Sequence, residues 1–190
     1  MAINRFELVT RHNPILKEID YHSPLTVGNG ELAFTVDVTG LQSLYDSYIN
    51  NHFPLCTMSQ WGWHTKPEQN EKDSNQPVYY TLDDVEMTEF DYSDRKVYYA
   101  VDKKAGNEKV YSWLRENPHR LNLARVSFIY KGKEILATDL TDIHQELNLY
   151  EGIIESSFYL DGTKCHVQTA CHQEEDIIGI KVESDLISSG

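Results

Sequence analysis

Hydrophobic and polar residues alternate most regularly across residues 31–38, which read ELAFTVDV. Every second position is apolar: Leu32, Phe34, Val36 and Val38. This period of two predicts a strand that buries one face. Gly28 and Gly30 precede the strand and Gly40 follows it, so we expect turns at both ends. The glycines and Ala33 fit the spacing GxGxxA, but a strand follows them where a dinucleotide site needs a helix.

Strand patterns continue through most of the chain. Strand candidates occupy residues 4–10, 78–81, 86–92, 95–101, 124–130, 134–140, 146–150, 153–160, 163–171 and 176–184. Asp161-Gly162 predicts a two-residue hairpin turn whose register places Phe158 opposite Cys165. Helical spacing is confined to two short segments, residues 41–49 and 107–117. The first of these could equally form an irregular connection. Because strand patterns are numerous and helical spacing is rare, we predict a mainly β fold, an antiparallel β-sandwich with one or two short helices.

Length and charge narrow the function classes. With 190 residues, of which 40% are hydrophobic, the chain is long enough for one substantial core, so we predict a single domain over residues 1–190. Its net charge of −13 disfavours nucleic acid and membrane surfaces as partners and leaves neutral ligands such as sugars. No apolar stretch approaches the roughly 20 residues of a membrane span. The absence of a secretion pattern in the first ten residues and the odd number of cysteines favour a cytoplasmic location.

No motif identifies a catalytic residue, a metal ligand or a cofactor site. Cys165-His166 and Cys171-His172 offer zinc-type donors, but six residues along one strand span about 20 Å, too far for a single ion. We therefore interpret Cys165 and Cys171 as small core residues. The remaining histidines lack HxH or HExxH spacing, and no GxSxG elbow is present. Carboxylates are numerous, yet nothing selects the pair that a glycosidase needs.

The segment Gln60-Trp61-Gly62-Trp63-His64 is the candidate binding site. It contains two of the three tryptophans and precedes a polar loop over residues 66–76. An indole offers a flat apolar face and one N–H donor, which suit the C–H face and the hydroxyls of a sugar ring. The alternative is that both tryptophans are core anchors or cover a neighbouring domain, because tryptophan is highly buried on average. Candidate contacts to a sugar or a domain are Gln60, Trp61, Trp63 and His64.

Four stretches of the chain resemble the front part of bacterial six-hairpin glycosidase-like proteins. They read SPLTVGNGELAFTVDVTGLQSL, PLCTMSQWGWHT, WLRENPHRLNLARVSF and DLTDIHQELNLYEGIIESSFYLDGTKCHVQTACHQEEDIIGIKVES. The GNG segment and the LNLYEGIIESSFYLDG hairpin are similar to the amino-terminal β-supersandwich of the maltose-phosphorylase and fucosidase families. The resemblance implies a galactose-mutarotase-like supersandwich. It is strongest over residues 23–44 and 139–183 and weakest around residues 66–106.

The resemblance also implies a role within a larger enzyme. In those families the sandwich precedes an (α/α)₆ barrel that carries the catalytic carboxylates, and the one or two helices predicted here cannot form such a barrel. Residues 1–190 would then be the non-catalytic N-terminal domain of a longer glycoside hydrolase or phosphorylase, and no catalytic residue carries over. Its partner would be a carbohydrate or the barrel of the same polypeptide. A stand-alone carbohydrate-binding module and a small sandwich hydrolase with paired carboxylates remain as alternatives.

Overall fold

The computed structural model describes residues 3–68, 75–100 and 106–188. The described chain is mainly β, with several antiparallel sheets and few short helices, which confirms the predicted fold class. The chain divides into two compact units. The first unit comprises Met1–Gly62 and Asn122–Gly190, and the second comprises Trp63–Leu121. The assignment of residues 1–190 to one domain stays a prediction.

The helices and strands have the following bounds in chain order. The first unit begins with α1 (Arg5–Thr10), β1 (Ile15–Leu16), β2 (Leu25–Gly28), β3 (Leu32–Val36), α2 (Tyr45–Asn50) and β4 (Thr57–Ser59). The second unit contains β5 (Trp63–His64), a 3₁₀ turn (Leu82–Asp84), β6 (Thr88–Tyr92), β7 (Arg95–Tyr99), α3 (Glu108–Glu116) and β8 (His119–Arg120). The first unit then continues with β9 (Ile129–Tyr130), β10 (Lys133–Glu134), a 3₁₀ turn (Ala137–Asp139), β11 (Leu140–Asn148), β12 (Ile153–Leu160), β13 (Thr163–Cys171), β14 (Ile178–Ser184) and α4 (Asp185–Ser188).

Two antiparallel sheets of the first unit face each other. The larger has the order β1-β11-β12-β13-β14, and the smaller has the order β2-β3-β4. Buried and more exposed side chains alternate along β3, β12 and β13, so each sheet has one apolar face. Both faces contribute to one buried cluster: Leu25, Val27, Phe34, Val36 and Ile154. Two sheets that share a core in this way form a β-sandwich.

The predicted hairpin between β12 and β13 is confirmed. Asp161 and Gly162 have φ angles of 51° and 74°, the positive values that a type I′ turn requires at both central residues. Phe158 lies opposite Cys165 in the resulting ladder, as the sequence predicts. Both side chains are buried in the main apolar cluster, so the core interpretation of Cys165 is correct as well.

The strand predicted over residues 4–10 is wrong, because this segment forms the helix α1. Asn4 caps the helix, with its Oδ1 accepting a hydrogen bond from the Glu7 N–H at 3.3 Å. Phe6 and Leu8, whose alternation suggested a strand, are both exposed. No strand of the described chain pairs with this segment. A local cap therefore outweighs a two-residue period that has no sheet in which to bury its face.

Other predicted elements are shorter than expected. The helix predicted over residues 41–49 forms only from Tyr45, because Leu41 and Leu44 are buried in an irregular loop that precedes α2. The strands predicted over residues 124–130 and 134–140 reduce to β9, β10, a 3₁₀ turn and the first residue of β11. Short pairings of this kind carry little sequence signal beyond their apolar residues.

The described part of the second unit contains a hairpin, a two-stranded ladder, a 3₁₀ turn and a helix. β6 pairs with β7, and β5 pairs with β8. The helix predicted after Asn107 is confirmed as α3. Its Trp113 is buried, and the indole N–H donates to the Lys66 carbonyl at 2.9 Å. Parts of the predicted polar loop over residues 66–76 and of the strand predicted over residues 95–101 lie outside the described residues.

Candidate functional site

The four residues of the predicted site lie at the surface. Trp61 is 66% exposed and Trp63 is 55% exposed, so neither indole is a core anchor. Gln60 and His64 are exposed too. Gln60 and Trp61 belong to the first unit, whereas Trp63 and His64 belong to the second. The two pairs therefore belong to the surfaces of different units.

Trp61 follows β4, and its indole is fixed by a carboxylate from another loop. The Trp61 Nε1–H donates to Asp176 Oδ2 at 2.7 Å. The Ser59 hydroxyl donates to the same oxygen at 2.8 Å. Because the N–H is satisfied while most of the side chain stays exposed, the ring has a defined orientation and a free surface. We call Asn29, Ser59, Trp61 and Asp176 the Trp61 cluster.

Asn29 links the turn between β2 and β3 to the loop that carries Asp176. Its Oδ1 accepts hydrogen bonds from the Glu31 and Leu32 N–H groups at 2.9 and 2.8 Å, which shapes its own turn. Its Nδ2 donates to the Glu175 carbonyl at 3.1 Å and to Asp176 Oδ1 at 3.4 Å. The β2–β3 turn, the end of β4 and the β13–β14 loop thus meet at the Trp61 cluster.

Hydrogen bonds determine the charge of this cluster. The Ser59 hydroxyl and then the Trp61 N–H lower the pKa of Asp176, since both stabilise the ionised carboxylate. Asp176 is therefore ionised at neutral pH. Burial and the nearby Asp176 charge together raise the pKa of the Cys171 thiol, which stays protonated. The Trp61 cluster consequently offers a negative hydrogen-bond acceptor, and the nearby Cys171 thiol supplies no thiolate nucleophile.

The loop between β13 and β14 is stabilised by hydrogen bonds between its own residues. His172 Nδ1 accepts hydrogen bonds from the N–H groups of Glu174 and Glu175 at 3.3 and 3.1 Å. The histidine thereby turns the chain and brings Asp176 toward Trp61.

Trp63 and His64 have different neighbours in the second unit. The Arg120 guanidinium carbon lies 4.9 Å from the centroid of the Trp63 ring, a cation–π contact that occupies one face of the indole. The His64 and His119 rings are 5.3 Å apart and nearly perpendicular. Trp63 is therefore a less complete platform than Trp61, despite similar exposure.

A second polar cluster lies in the interior of the first unit, in the buried loop of residues 37–44. The Asp37 carboxylate accepts hydrogen bonds from the Thr39 N–H at 2.8 Å, the Thr39 hydroxyl at 2.5 Å and the Leu44 N–H at 2.6 Å. Burial raises the pKa of Asp37 to about 6, although these hydrogen bonds lower it. The side chain is fully buried, so it holds the loop together and has no access to a ligand.

Gln145 ties this buried loop to the large sheet. Its Nε2 donates to the Asp37 carbonyl at 2.7 Å and to Ser156 Oγ at 2.8 Å. The Thr169 hydroxyl donates to the Gly40 carbonyl at 2.6 Å. These contacts satisfy backbone groups that no strand pairing reaches, which explains how an irregular loop can be buried.

Sequence reasoning missed Asn29, Ser59 and Asp176. Asn29 stands out in the sequence only as part of a glycine-bounded turn, and Asp176 only as the start of a predicted strand. Ser59 and Asp176 are 117 positions apart, so no short spacing could connect them. The one local signal is the Asn between two glycines, a residue that readily bonds its own backbone in turns.

Neither a metal-binding group nor a membrane-spanning helix occurs in the described ranges. No three or more His, Cys, Asp or Glu side chains there are grouped so that they could hold a metal ion. No helix in these ranges is long and apolar enough to cross a membrane. Comparison of the chain with protein-family models, curated proteins and solved structures finds no match. The resemblance to six-hairpin glycosidase-like proteins therefore stays a prediction.

Proposed function

We propose that this chain is a non-catalytic β-sandwich domain of a bacterial carbohydrate-active enzyme, a glycoside hydrolase or phosphorylase, and that Trp61 contacts the sugar. The observation that carries this proposal is the exposed Trp61 ring held by Asp176 at 2.7 Å. A cytoplasmic location is part of the proposal and is supported by the three free cysteines, Cys56, Cys165 and Cys171.

The Trp61 cluster has the chemistry of a sugar subsite. A sugar ring packs its C–H face on an indole and places its hydroxyls near polar groups. Among the described residues, Asp176 Oδ1 receives only the 3.4 Å contact from Asn29, which leaves it able to accept a hydrogen bond from a sugar hydroxyl. Glu174 and Glu175 add negative charge beside Asp176, so neutral sugars are favoured over acidic ones.

The ionised state of Asp176 does not suit a general acid. A general acid at neutral pH needs a carboxyl whose pKa is raised. The pKa of Asp176 is instead lowered by the Ser59 and Trp61 hydrogen bonds. Asp37, whose pKa is raised, is sealed in the interior. This distribution supports an accessory role, with the chemistry supplied elsewhere in a larger enzyme.

Packing against a catalytic barrel of the same polypeptide is the second part of the proposal. It is supported by exposed apolar side chains on α1 and on the turn after β11. Phe6 and Tyr150 form an edge-to-face pair with centroids 5.3 Å apart, and both are at least half exposed. Leu8 on α1 and Leu149 beside Tyr150 are exposed as well. Exposed apolar groups that already cluster are typical of a surface that another domain covers.

Calorimetric titration with neutral mono- and disaccharides, and with a uronic acid as an acidic comparison, tests the sugar contact. We expect saturable binding of at least one neutral sugar. Trp61→Ala should abolish the binding, and Trp61→Phe should retain part of it because an aromatic face remains. Trp63→Ala is the matched control, since Arg120 already covers one face of that indole. No saturable binding, or equal binding by Trp61→Ala, would contradict the sugar contact, whereas domain packing is supported by the separate Phe6–Tyr150 patch.

A further inference from the structure

β14 is the long edge strand of the large sheet. It runs for seven residues, whereas β1 at the opposite edge of the same sheet has two. Its pairing with β13 continues without a bulge from Ile178 to Ser184. In the described chain β13 is the only strand that pairs with it. A long, regular edge of this kind presents backbone N–H and C=O groups to another strand.

The side chains of β14 separate by face. Ile178, Ile180 and Val182 are half-buried and pack against the apolar clusters of the sandwich. Lys181 and Glu183 point to the other face, with side chains 62% and 57% exposed. Lys181 Nζ and Glu183 Oε1 lie 3.0 Å apart, so the open face of the strand carries an ion pair of one positive and one negative charge two positions apart.

This charge pattern is complementary to itself in one register. When two antiparallel β14 strands meet about a two-fold axis at Val182, Lys181 of each copy lies opposite Glu183 of the other. An axis at Lys181 would place two lysines opposite each other, and an axis at Ile180 would pair Lys181 with Gly179. Opposite charges stabilise facing positions and like charges destabilise them, so the axis at Val182 is favoured.

We propose that this chain forms a homodimer in which β14 of one copy pairs antiparallel with β14 of a second copy about an axis at Val182. The pairing joins the two large sheets into one continuous sheet. Ile180 then faces Ser184 of the second copy, and Val182 faces its own equivalent beside the half-buried apolar row. Each Lys181, already 3.0 Å from Glu183 of its own strand, then also faces Glu183 of the second copy. The net charge of −13 on each copy opposes association, so the dimer depends on these contacts between copies.

Sedimentation of the full chain at about 0.15 M salt tests the dimer. The wild-type chain should show a concentration-dependent monomer–dimer equilibrium. Lys181→Glu and Glu183→Lys should each weaken the dimer by about tenfold or more, since each variant turns two attractive pairs into two repulsive ones. An equimolar mixture of the two variants should associate again, because each glutamate of the first variant then faces a lysine of the second. The double variant Lys181→Glu/Glu183→Lys should also restore the homodimer.

Lys17→Glu is the matched control for charge. Lys17 is exposed directly after β1, at the opposite edge of the large sheet, and its reversal changes the net charge by the same amount as Lys181→Glu. It should leave the dimer within about twofold of wild type. Circular dichroism melts should show that every variant folds. A wild-type chain that stays monomeric, a dimer that is insensitive to both reversals, or folded variants that fail to associate on mixing would each overturn the proposal.

Discussion

Asp37 and Asp176 are two carboxylates of the same unit that accept similar hydrogen bonds in opposite surroundings. Each receives one hydroxyl and at least one N–H donor. Asp37 lies in the buried loop, and burial raises its pKa to about 6. Asp176 lies at the surface, where the Ser59 hydroxyl and the Trp61 N–H lower its pKa. In the interior, the effect of desolvation on the carboxyl pKa is larger than that of the hydrogen-bond donors. At the surface, where water remains, the donors have the larger effect.

This difference separates a structural role from a binding role. The oxygens of the Asp37 carboxylate accept hydrogen bonds from N–H groups of its own buried loop. Removing the carboxylate therefore leaves buried donors without partners. The Asp176 carboxylate orients an exposed indole and keeps an oxygen within reach of a ligand. The interior cluster therefore determines whether the unit folds, and the Trp61 cluster determines what its surface can contact.

The largest effect is expected when the buried carboxylate is removed. Asp37→Ala leaves the Thr39 hydroxyl and the Leu44 N–H buried without their acceptor, so the free energy of unfolding should fall by about 4 kcal/mol. The matched surface variant Asp176→Ala should lower it far less, because water replaces the lost contacts. Urea denaturation followed by circular dichroism measures both values. Equal losses in the two variants would remove the distinction between the clusters.

The contributions of Asp37 and Asp176 to the free energy of unfolding should change with pH in opposite directions. The folded pKa of Asp37 lies above its unfolded value of 3.8, so protonation favours the folded state. This contribution is complete below about pH 4 and is lost as the pH rises through about 6. Between about pH 4 and pH 7, the wild-type chain should lose up to roughly 3 kcal/mol of stability relative to Asp37→Asn.

For Asp176, the contribution to the free energy of unfolding should change with pH in the opposite direction. Its lowered pKa gives a contribution that is present above the unfolded pKa and is lost as the pH falls. Relative to Asp176→Asn, the wild-type chain should therefore lose stability on acidification. Urea denaturation of both asparagine variants makes the comparison, between about pH 4 and pH 7 for Asp37 and below about pH 4 for Asp176. Pairs of curves that remain parallel to wild type would show that neither carboxylate changes its pKa on folding.

Local signals account for the parts of the fold that could be predicted. The β12–β13 hairpin follows from Asp161-Gly162, because a two-residue turn fixes its own register. Strand β3 follows from its alternation. The buried loop before α2 could not be predicted, since Leu41 and Leu44 have helical spacing yet their burial depends on Asp37 and on contacts from distant strands.

The Trp61 cluster could be predicted only in part. The tryptophan can be identified from its type and its neighbours along the chain. Its anchor cannot, because Asp176 lies 115 positions away and meets Trp61 only when the loops of both sheets come together. A site formed by several loops of a sandwich has no fixed spacing, so the sequence can indicate one member and cannot indicate its partners.

The smallest expected effect comes from adding one methyl group at two glycines that share a backbone conformation. Gly40 in the buried loop has φ of 77°, and Gly162 in the surface hairpin has φ of 74°. A Cβ at Gly40 would lie 3.0 Å from both Ser156 Oγ and Val167 Cγ1, whereas a Cβ at Gly162 would meet nothing within 4 Å. Both alanine variants carry the same backbone strain of about 1 kcal/mol.

The difference between these two variants isolates the packing of the interior from that strain. Ser156 cannot move away freely, because its hydroxyl is bonded to Gln145 at 2.8 Å. Gly40→Ala should therefore lower the free energy of unfolding by about 2 kcal/mol, compared with about 1 kcal/mol for Gly162→Ala. Urea denaturation resolves a difference of this size when the two variants have the same slope. A Gly162→Ala loss as large as that of Gly40→Ala would mean that backbone conformation alone, and not the buried network, limits what the loop tolerates.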